Sequence, residues 1–169
     1  IATDKLTCAC ATRIIPEGKG VKKDLEQHHI TSKPLSIIGN GNINGIDLEY
    51  FARTPEVEEK AQAYRKKDTT TFCFVGRMVR DKGINELVAA FQELHATDSS
   101  IRLLLVGPFE EQLDPVLPET KEAILNHPAI EWMGWQEDIR PFLAASDVFV
   151  FPSYREGFPN VVIQAGAMG

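Results

Sequence analysis

The sequence lacks the hallmarks of several large protein classes. Its 169 residues carry 18 basic and 24 acidic side chains, and a net charge of −6 excludes the basic footprint of a nucleic-acid binder. No apolar run reaches the roughly 20 residues of a membrane-spanning helix, and no signal peptide is visible. Because the first residue is Ile1 rather than Met, we expect the natural N-terminus to lie outside this sequence. An apolar fraction of 43% is enough for a packed core.

Cysteine is scarce. Cys8, Cys10 and Cys73 are odd in number and in spacing, which excludes the disulfide framework of a small secreted protein. Cys8 and Cys10 alternate within a predicted strand, where they would share one face. A metal site would need further ligands, and only the pair His28–His29 lies nearby. We therefore interpret the cysteines as small buried side chains in a reducing, cytoplasmic protein.

Several catalytic motifs are absent as well. There is no Walker loop, no Gly-x-Ser-x-Gly elbow, no Cys-x-x-Cys, and no Asp-x-Asp metal motif in a strand-end loop. The four histidines show no ligand spacing. We expect no metal and no bound cofactor.

What is present is a regular alternation of strands and helices. Four apolar segments read as strands buried on both faces, namely Thr71–Gly76, Ile101–Gly107, Ile130–Gly134 and Asp147–Pro152. Three helices are predicted between them. The first carries the apolar stripe of Ile84–Leu94 and the second covers Thr120–Asn126. The third begins after a cap at Asp138 and has Pro141 in its first turn. The alternation predicts an α/β fold, a Rossmann-like doubly wound parallel sheet with helices on both faces.

The first part of the chain differs from this pattern. Leu6–Ala11 and Leu35–Ile38 are predicted as short strands around a polar helix over Gly20–His29, and a charged helix is predicted over Thr54–Lys67. The loop Gly39–Gly45 begins Gly-x-Gly, as a dinucleotide fingerprint does, but its third glycine is misplaced and no helix pattern follows directly. We interpret the loop as a turn or connector and place a domain boundary near Ile46.

Ligands of open α/β sheets bind beside the carboxyl ends of the strands, so the strand-end loops are the candidate sites. After the first strand, Arg77 and Lys82 stand before a helix and could hold an anion such as a diphosphate. The alternative is a solvated loop in which Arg80 and Asp81 neutralise one another. The residues alone favour neither the anion site nor the solvated loop.

After the last strand, Glu156 opens a Gly-Phe-Pro-Asn turn that leads into an apolar run. A carboxylate there would repel phosphate and suits the hydroxyls of a sugar. The alternative is that Glu156 is simply an acidic residue at the start of a helix, where the helix dipole favours a negative charge. Trp132 and Trp135 flank Gly134, and we predict that they serve mainly as packing.

Taken in order, these segments resemble a known family. The motifs are Phe74-Val-Gly-Arg77 with Lys82-Gly83, Leu105-Val-Gly107, Ile130-Glu-Trp-Met-Gly134, Ser146-Asp-Val-Phe-Val-Phe-Pro-Ser153, Glu156-Gly-Phe-Pro-Asn-Val-Val and Asn44-Gly-Ile-Asp-Leu-Glu-Tyr-Phe51. The first five together resemble the donor domain of retaining glycosyltransferases of family four, which have the GT-B fold. The last, Asn44–Phe51, resembles the inter-domain connector segment of the same family. Each motif is weak alone; their order and spacing are specific, and they cover roughly two-thirds of the chain.

The resemblance implies roles for individual residues. Glu156, Arg77 and Lys82 would be the catalytic residues, with the two cations on the donor diphosphate and the carboxylate on sugar hydroxyls. The remaining contacts to the nucleotide sugar would come from Gly76, Met133, Gly134, Gln136, Gly157, Phe158, Pro159, Asn160, Val161 and Gln164. The implied reaction is transfer of a sugar from a UDP- or GDP-linked donor to a saccharide or lipid-linked acceptor, with retention and without a metal.

The sequence departs from the family pattern in two ways. The second Glu of the family's Glu-x7-Glu motif is Gln164 here, and its amide offers one acceptor oxygen to the ribose hydroxyls. We expect the weaker contact to cost about 1 kcal/mol or less of binding free energy. The resemblance also covers only the tail of a first domain (1–45) and most of a donor domain (46–169). We therefore expect a fragment that binds nucleotide weakly and transfers no sugar.

The resemblance further implies a role in capsule, lipopolysaccharide or other surface polysaccharide synthesis. Its partners would be the donor, the acceptor and, through the first domain, the inner face of the cytoplasmic membrane, without nucleic acid. Two alternatives stay open. A flavodoxin-like signalling module would need acidic residues where this chain has Gly76-Arg77, and a nucleotide-binding module that has lost catalysis is kept open by Gln164.

Overall fold

The computed structural model describes residues 2–41 and 45–169. Their contacts divide the chain into two compact units. The first unit comprises Ile1–Ile46 with Glu156–Asn160, and the second comprises Asp47–Arg155 with Val161–Gly169.

The first unit contains helix α1 (Ala2–Cys10) and helix α2 (Lys19–Gln27). The prediction of a strand over Leu6–Ala11 is therefore wrong. Alanine and leucine favour a helix, and Lys33 Nζ satisfies the end of α1 by donating to the carbonyls of Cys8, Ala9 and Ala11 at 2.9, 2.6 and 2.7 Å. The predicted strand Leu35–Ile38 is also wrong, since only Leu35 forms an isolated bridge, with Ile14.

The three cysteines differ in burial. On α1, Cys8 is buried while Cys10 is exposed, so they do not share a face. Cys73 lies in the core of the second unit, where burial raises the pKa of its thiol to about 12. The interpretation as buried side chains is confirmed for Cys8 and Cys73 and wrong for Cys10.

The glycine-rich loop is a turn where it is described. Gly39 and Gly41 have φ values of +58° and +88°, and Gly41 N donates to the carbonyl of Ile38 at 3.1 Å. Asn44, which opens the predicted connector motif, lies outside the described residues together with Asn42 and Ile43. No helix follows directly among the described residues, because the next helix, α3 (Pro55–Gln62), begins well downstream.

The second unit is built on a parallel sheet. After α3 the elements are β1 (Thr70–Val75), α4 (Ile84–Thr97), β2 (Ile101–Val106), α5 (Pro118–Asn126), β3 (Ile130–Gly134), α6 (Arg140–Ala144), β4 (Val148–Phe149) and α7 (Asn160–Met168). The strand order is β3-β2-β1-β4, and all pairs are parallel. This confirms the predicted α/β class, although β4 is shorter than the predicted Asp147–Pro152.

Helices cover both faces of this sheet. On one face α4 and α5 pack on alternate strand residues such as Phe74, Leu103 and Leu105. On the other face α3, α6 and α7 pack on the intervening residues, such as Cys73 and Leu104. The near-continuous apolar strands are therefore buried on both sides, as their composition predicts.

The start of α6 follows its sequence signals. The backbone N–H of Arg140 donates to Asp138 Oδ1 at 3.0 Å, and Pro141 occupies the first turn. The Arg140 guanidinium also binds both carboxylate oxygens and holds the pKa of Asp138 below its usual range.

Candidate functional site

The strand order fixes where a ligand can bind in the second unit. From β1 the chain moves to β2 and β3 on one side, while β4 lies on the other side of β1. Such a reversal leaves a crevice beside the carboxyl ends of the two strands that meet there. The segments that follow β1 and β4 frame this crevice, and the first of them holds the predicted residues Gly76, Arg77 and Lys82.

Glycines bring the carboxyl ends of three strands together. Gly76 N donates to the carbonyl of Val106 at 2.9 Å, and Gly107 N donates to the carbonyl of Gly134 at 2.7 Å. A Cβ atom on Gly107 would lie 1.9 Å from the carbonyl oxygen of Gly76, so no side chain fits there. The predicted binding residues Gly76 and Gly134 therefore lie along one edge of the sheet.

Arg77 extends from this edge as an exposed cation. Its side chain is 56% exposed and forms an ion pair with Glu110, whose side chain is 28% exposed. Glu110 lies in the loop that follows β2, as Arg77 lies in the loop that follows β1. Sequence reasoning missed Glu110, which lies three positions after Gly107 and becomes the partner of Arg77 only through the parallel pairing of β1 with β2.

The loop between β1 and α4 is fixed by the loop that follows β2. Arg80 N donates to the carbonyl of Asp114 at 3.2 Å, and Arg80 Nε donates to the carbonyl of Pro115 at 2.7 Å. The backbone N–H of Asp81 donates to Asp114 Oδ2 at 2.7 Å. Arg80 and Asp81 thus bond elsewhere, and the alternative in which they neutralise one another is wrong. Lys82 lies in the 3-10 turn of this loop.

The same loop contacts the segment after β4. Gly83 has φ +70°, and a Cβ atom on it would lie 2.3 Å from the carbonyl oxygen of Pro152. Tyr154 N donates to the carbonyl of Asp81 at 2.9 Å, and Arg155 pairs with the Asp81 carboxylate at 2.7 Å. The two walls of the crevice are therefore tied together at Asp81 and Gly83.

The loop after β3 is turned back on itself. Gln136 Nε2 donates to the carbonyl of Met133 at 2.6 Å, and Gly134 between them has φ +65°. Trp132 is 38% exposed, but it packs on the ring of Phe109 at 4.7 Å between ring centroids and donates from Nε1 to the carbonyl of Gly107 at 2.8 Å, in partial agreement with the predicted packing role. Trp135 is 69% exposed, so that prediction is wrong for Trp135.

The remaining predicted residues come after β4 in the sequence. Glu156–Asn160 belong by their contacts to the first unit, while Val161 and Gln164 lie on α7 in the second. Glu156 precedes the first turn of α7, which contains no acidic residue, so its interpretation as a helix-start acid is wrong. Asn160 Oδ1 is buried at the start of α7 without a hydrogen-bond partner in the described part of the chain.

Two further observations concern residues 2–41 and 45–169 only. Within them, no group of three or more His, Cys, Asp and Glu side chains is arranged to hold a metal ion. None of their helices is both long enough and apolar enough to cross a bilayer.

Known proteins match both the sequence and the fold. The family model described as "Glycosyl transferases group 1" matches residues 69–169. The capsular polysaccharide biosynthesis glycosyltransferase CapM of Staphylococcus aureus is 32% identical over 98% of this chain and 43% of its own length. The UDP-Gal:alpha-D-GlcNAc-diphosphoundecaprenol alpha-1,3-galactosyltransferase of Escherichia coli is 29% identical over 95% of this chain and 41% of its own length.

Solved structures share the fold at low sequence identity. Alr3699/HepE of Anabaena, in complex with UDP and glucose, superposes with a TM-score of 0.81 at 19% identity, over 99% of this chain and 45% of HepE. These neighbours are GT-B glycosyltransferases, which confirms the predicted fold.

The chain thus spans less than half the length of CapM and of the galactosyltransferase. The matched segment, residues 69–169, nevertheless holds all four strands, the Arg77 loop and the Glu156 turn. By this match and by its similarity to CapM, the chain belongs to the family of group 1 glycosyl transferases.

Proposed function

We propose that the chain is the donor-binding part of a retaining glycosyltransferase of family four. The whole enzyme transfers a hexosyl group from a UDP- or GDP-linked donor to a saccharide or lipid-linked acceptor. The observation that carries the proposal is the exposed Arg77 guanidinium at the carboxyl edge of the sheet, in the loop after β1 that frames the crevice. Residues 1–45 are the tail of an acceptor-side domain, and residues 46–169 form the donor domain.

The donor diphosphate binds through cations. Arg77 forks two phosphate oxygens, Lys82 supplies a second positive charge, and backbone N–H groups along the glycine edge complete the contact. When the bond to the sugar breaks, negative charge grows on the departing diphosphate, and fixed cations stabilise that charge without a metal.

The other predicted residues bind the remaining parts of the donor. Glu156 accepts hydrogen bonds from sugar hydroxyls, and the backbone of Gly157–Asn160 lines the sugar and phosphates. Backbone groups of Met133–Gln136 meet the nucleobase. Val161 and Gln164 on α7 face the nucleotide, with Gln164 contacting ribose through a single acceptor oxygen.

The similar proteins support this donor and acceptor chemistry. HepE forms complexes with UDP and with UDP-glucose, and the printed name of the Escherichia coli relative describes a UDP-galactose donor and a diphosphoundecaprenol acceptor. CapM serves capsular polysaccharide biosynthesis. We propose that this enzyme likewise builds a surface polysaccharide, at the inner face of the cytoplasmic membrane.

Calorimetric titration of the chain with UDP and with GDP tests the proposal. We expect one of the two to bind weakly, because the proposed diphosphate cations lie within this chain. No binding of either nucleotide would contradict a donor-binding role, and sugar transfer by this chain alone would contradict its proposed status as a part.

A second candidate function is a nucleotide-binding module that has lost catalysis, and Gln164 in place of the family's second Glu favours it. Product analysis of the full-length enzyme with a nucleotide sugar and an acceptor separates the two. A product that retains the anomeric configuration supports the transferase, whereas nucleotide binding without product supports the module.

A further inference from the structure

Glu17 lies against the turn that begins at Gly157. A Cβ atom on Gly157 would stand 2.5 Å from Glu17 Oε2 and 3.5 Å from Val21 Cγ2. A Cβ atom on Gly18 would stand 3.0 Å from the carbonyl oxygen of Gly157. Both the carboxylate of Glu17 and the backbone of the following residue therefore contact this turn within the first unit.

The position of Glu17 is fixed from its other side as well. Gly41 has φ +88°, and a Cβ atom on it would lie 2.4 Å from the carbonyl oxygen of Glu17. The neighbours Pro16 and Gly18 are buried. The backbone of Glu17 is thus held against Gly41, while its carboxylate lies beside Gly157.

The Glu17 carboxylate has no protein partner in the part of the chain that the structure describes. Within the described residues, no hydrogen bond or ion pair reaches the half-buried Glu17 side chain, whereas Glu26 on α2 pairs with Lys22 at 3.9 Å. A half-buried carboxylate that no protein group engages has its acceptor oxygens available to a ligand that supplies O–H groups. It repels phosphate, so the ligand that fits it is neutral and rich in hydroxyls.

We propose that Glu17 is a further specificity-determining residue, whose carboxylate accepts hydrogen bonds from hydroxyls of the transferred sugar. The inference rests on the proposed function, in which the Gly157–Asn160 turn lines that sugar. Glu156 reaches the sugar from within the turn, and Glu17 does so from the segment that packs on it.

The test compares a nucleotide with nucleotide sugars in calorimetric titrations of the chain. Glu17→Gln and Glu17→Ala should leave the affinity for UDP unchanged. Their affinity for the tightest of UDP-glucose, UDP-galactose and UDP-N-acetylglucosamine should fall, by about tenfold for Glu17→Ala, as expected for the loss of hydrogen bonds to a charged group. Glu26→Gln removes a carboxylate from the same unit and should change neither affinity. Melting temperatures verify that each variant is folded.

The outcomes separate this inference from the proposed function. If the wild type binds neither UDP nor GDP, the proposed function fails and the inference fails with it. If it binds only GDP, the same comparison is made with GDP and GDP-linked sugars. If UDP binds but the Glu17 variants bind the nucleotide sugars as tightly as the wild type does, the role of Glu17 is overturned while nucleotide binding stands. The same conclusion follows if the wild type binds every nucleotide sugar with the same affinity as UDP.

Discussion

At the scale of single residues, we propose that the ion pair between Arg77 and Glu110 modulates phosphate binding at the crevice. In the structure the Arg77 guanidinium already has a carboxylate partner. A diphosphate must either displace Glu110 or share the guanidinium with it. Because both side chains are partly exposed, the ion pair is weak, and a doubly charged ligand can compete with it.

This competition predicts the effect of Glu110→Gln. Removing the carboxylate frees Arg77 and removes a negative charge beside the phosphates. Affinity for UDP should rise by up to about fivefold, since an exposed ion pair is worth roughly 0.2–1 kcal/mol. Calorimetry measures the change, and Glu111→Gln, which removes the adjacent carboxylate paired with Lys121, is the matched control. A weaker affinity in Glu110→Gln would show that Glu110 orients Arg77 for the ligand instead of competing with it.

Residues whose role depends on a local pattern could be predicted from the sequence. Arg77 directly follows a strand that ends in glycine, so its place at the sheet edge needs no tertiary information. Glu110 becomes its partner through the parallel pairing of β1 with β2, and Glu17 meets Gly157 through packing between distant segments. Neither contact is encoded in a short motif.

At the scale of elements, the close approach of Gly83 to Pro152 joins the loop after β1 to the segment after β4. Gly83 ends the 3-10 turn and precedes α4 in a left-handed conformation. Only glycine satisfies both the backbone angle and the short distance to the Pro152 carbonyl. Gly83 therefore permits the close contact between the loop after β1 and the segment after β4, which Asp81 also holds together.

Gly83→Ala should destabilise the protein. The added Cβ would lie 2.3 Å from the Pro152 carbonyl oxygen at a positive φ, so we expect a loss of about 2–4 kcal/mol in the free energy of unfolding. Urea unfolding measures the loss. Gly166→Ala on α7, where no atom lies within 4 Å of the new Cβ, is the control and should stabilise by about 0.5–1 kcal/mol. Equal stability of wild type and Gly83→Ala would show that the two segments do not pack as described.

Elements were predicted well where tertiary packing agrees with the local pattern. The four strands and the helices between them follow from apolar periodicity. The segment Leu6–Ala11 was misjudged because six residues of mixed polarity fit a strand as well as a helix, and the distant Lys33 caps the helix end. Arg102 likewise stands within a buried apolar strand, where Thr71, Glu131 and the carbonyl of Tyr64 satisfy it.

At the scale of the whole molecule, the chain consists of two units whose segments alternate along the sequence. Glu156–Asn160 belong by contact to the first unit, although they stand between two stretches of the second. The resemblance seen in the sequence assigned this segment to the donor domain, because motif order does not show which unit a turn contacts. The family is shown by residues 69–169 and by the similarity to CapM.

The central claim is that the crevice after β1 binds the diphosphate of a nucleotide sugar through Arg77. The most direct test is calorimetric titration of the Arg77→Ala variant with UDP or GDP, whichever the wild type binds. We predict a loss of about 10- to 100-fold in affinity, the range for hydrogen bonds to a charged group. Lys67→Ala, which removes an exposed cation beyond the amino end of β1, should bind as the wild type does. Unchanged binding by a folded Arg77→Ala variant would contradict the claim.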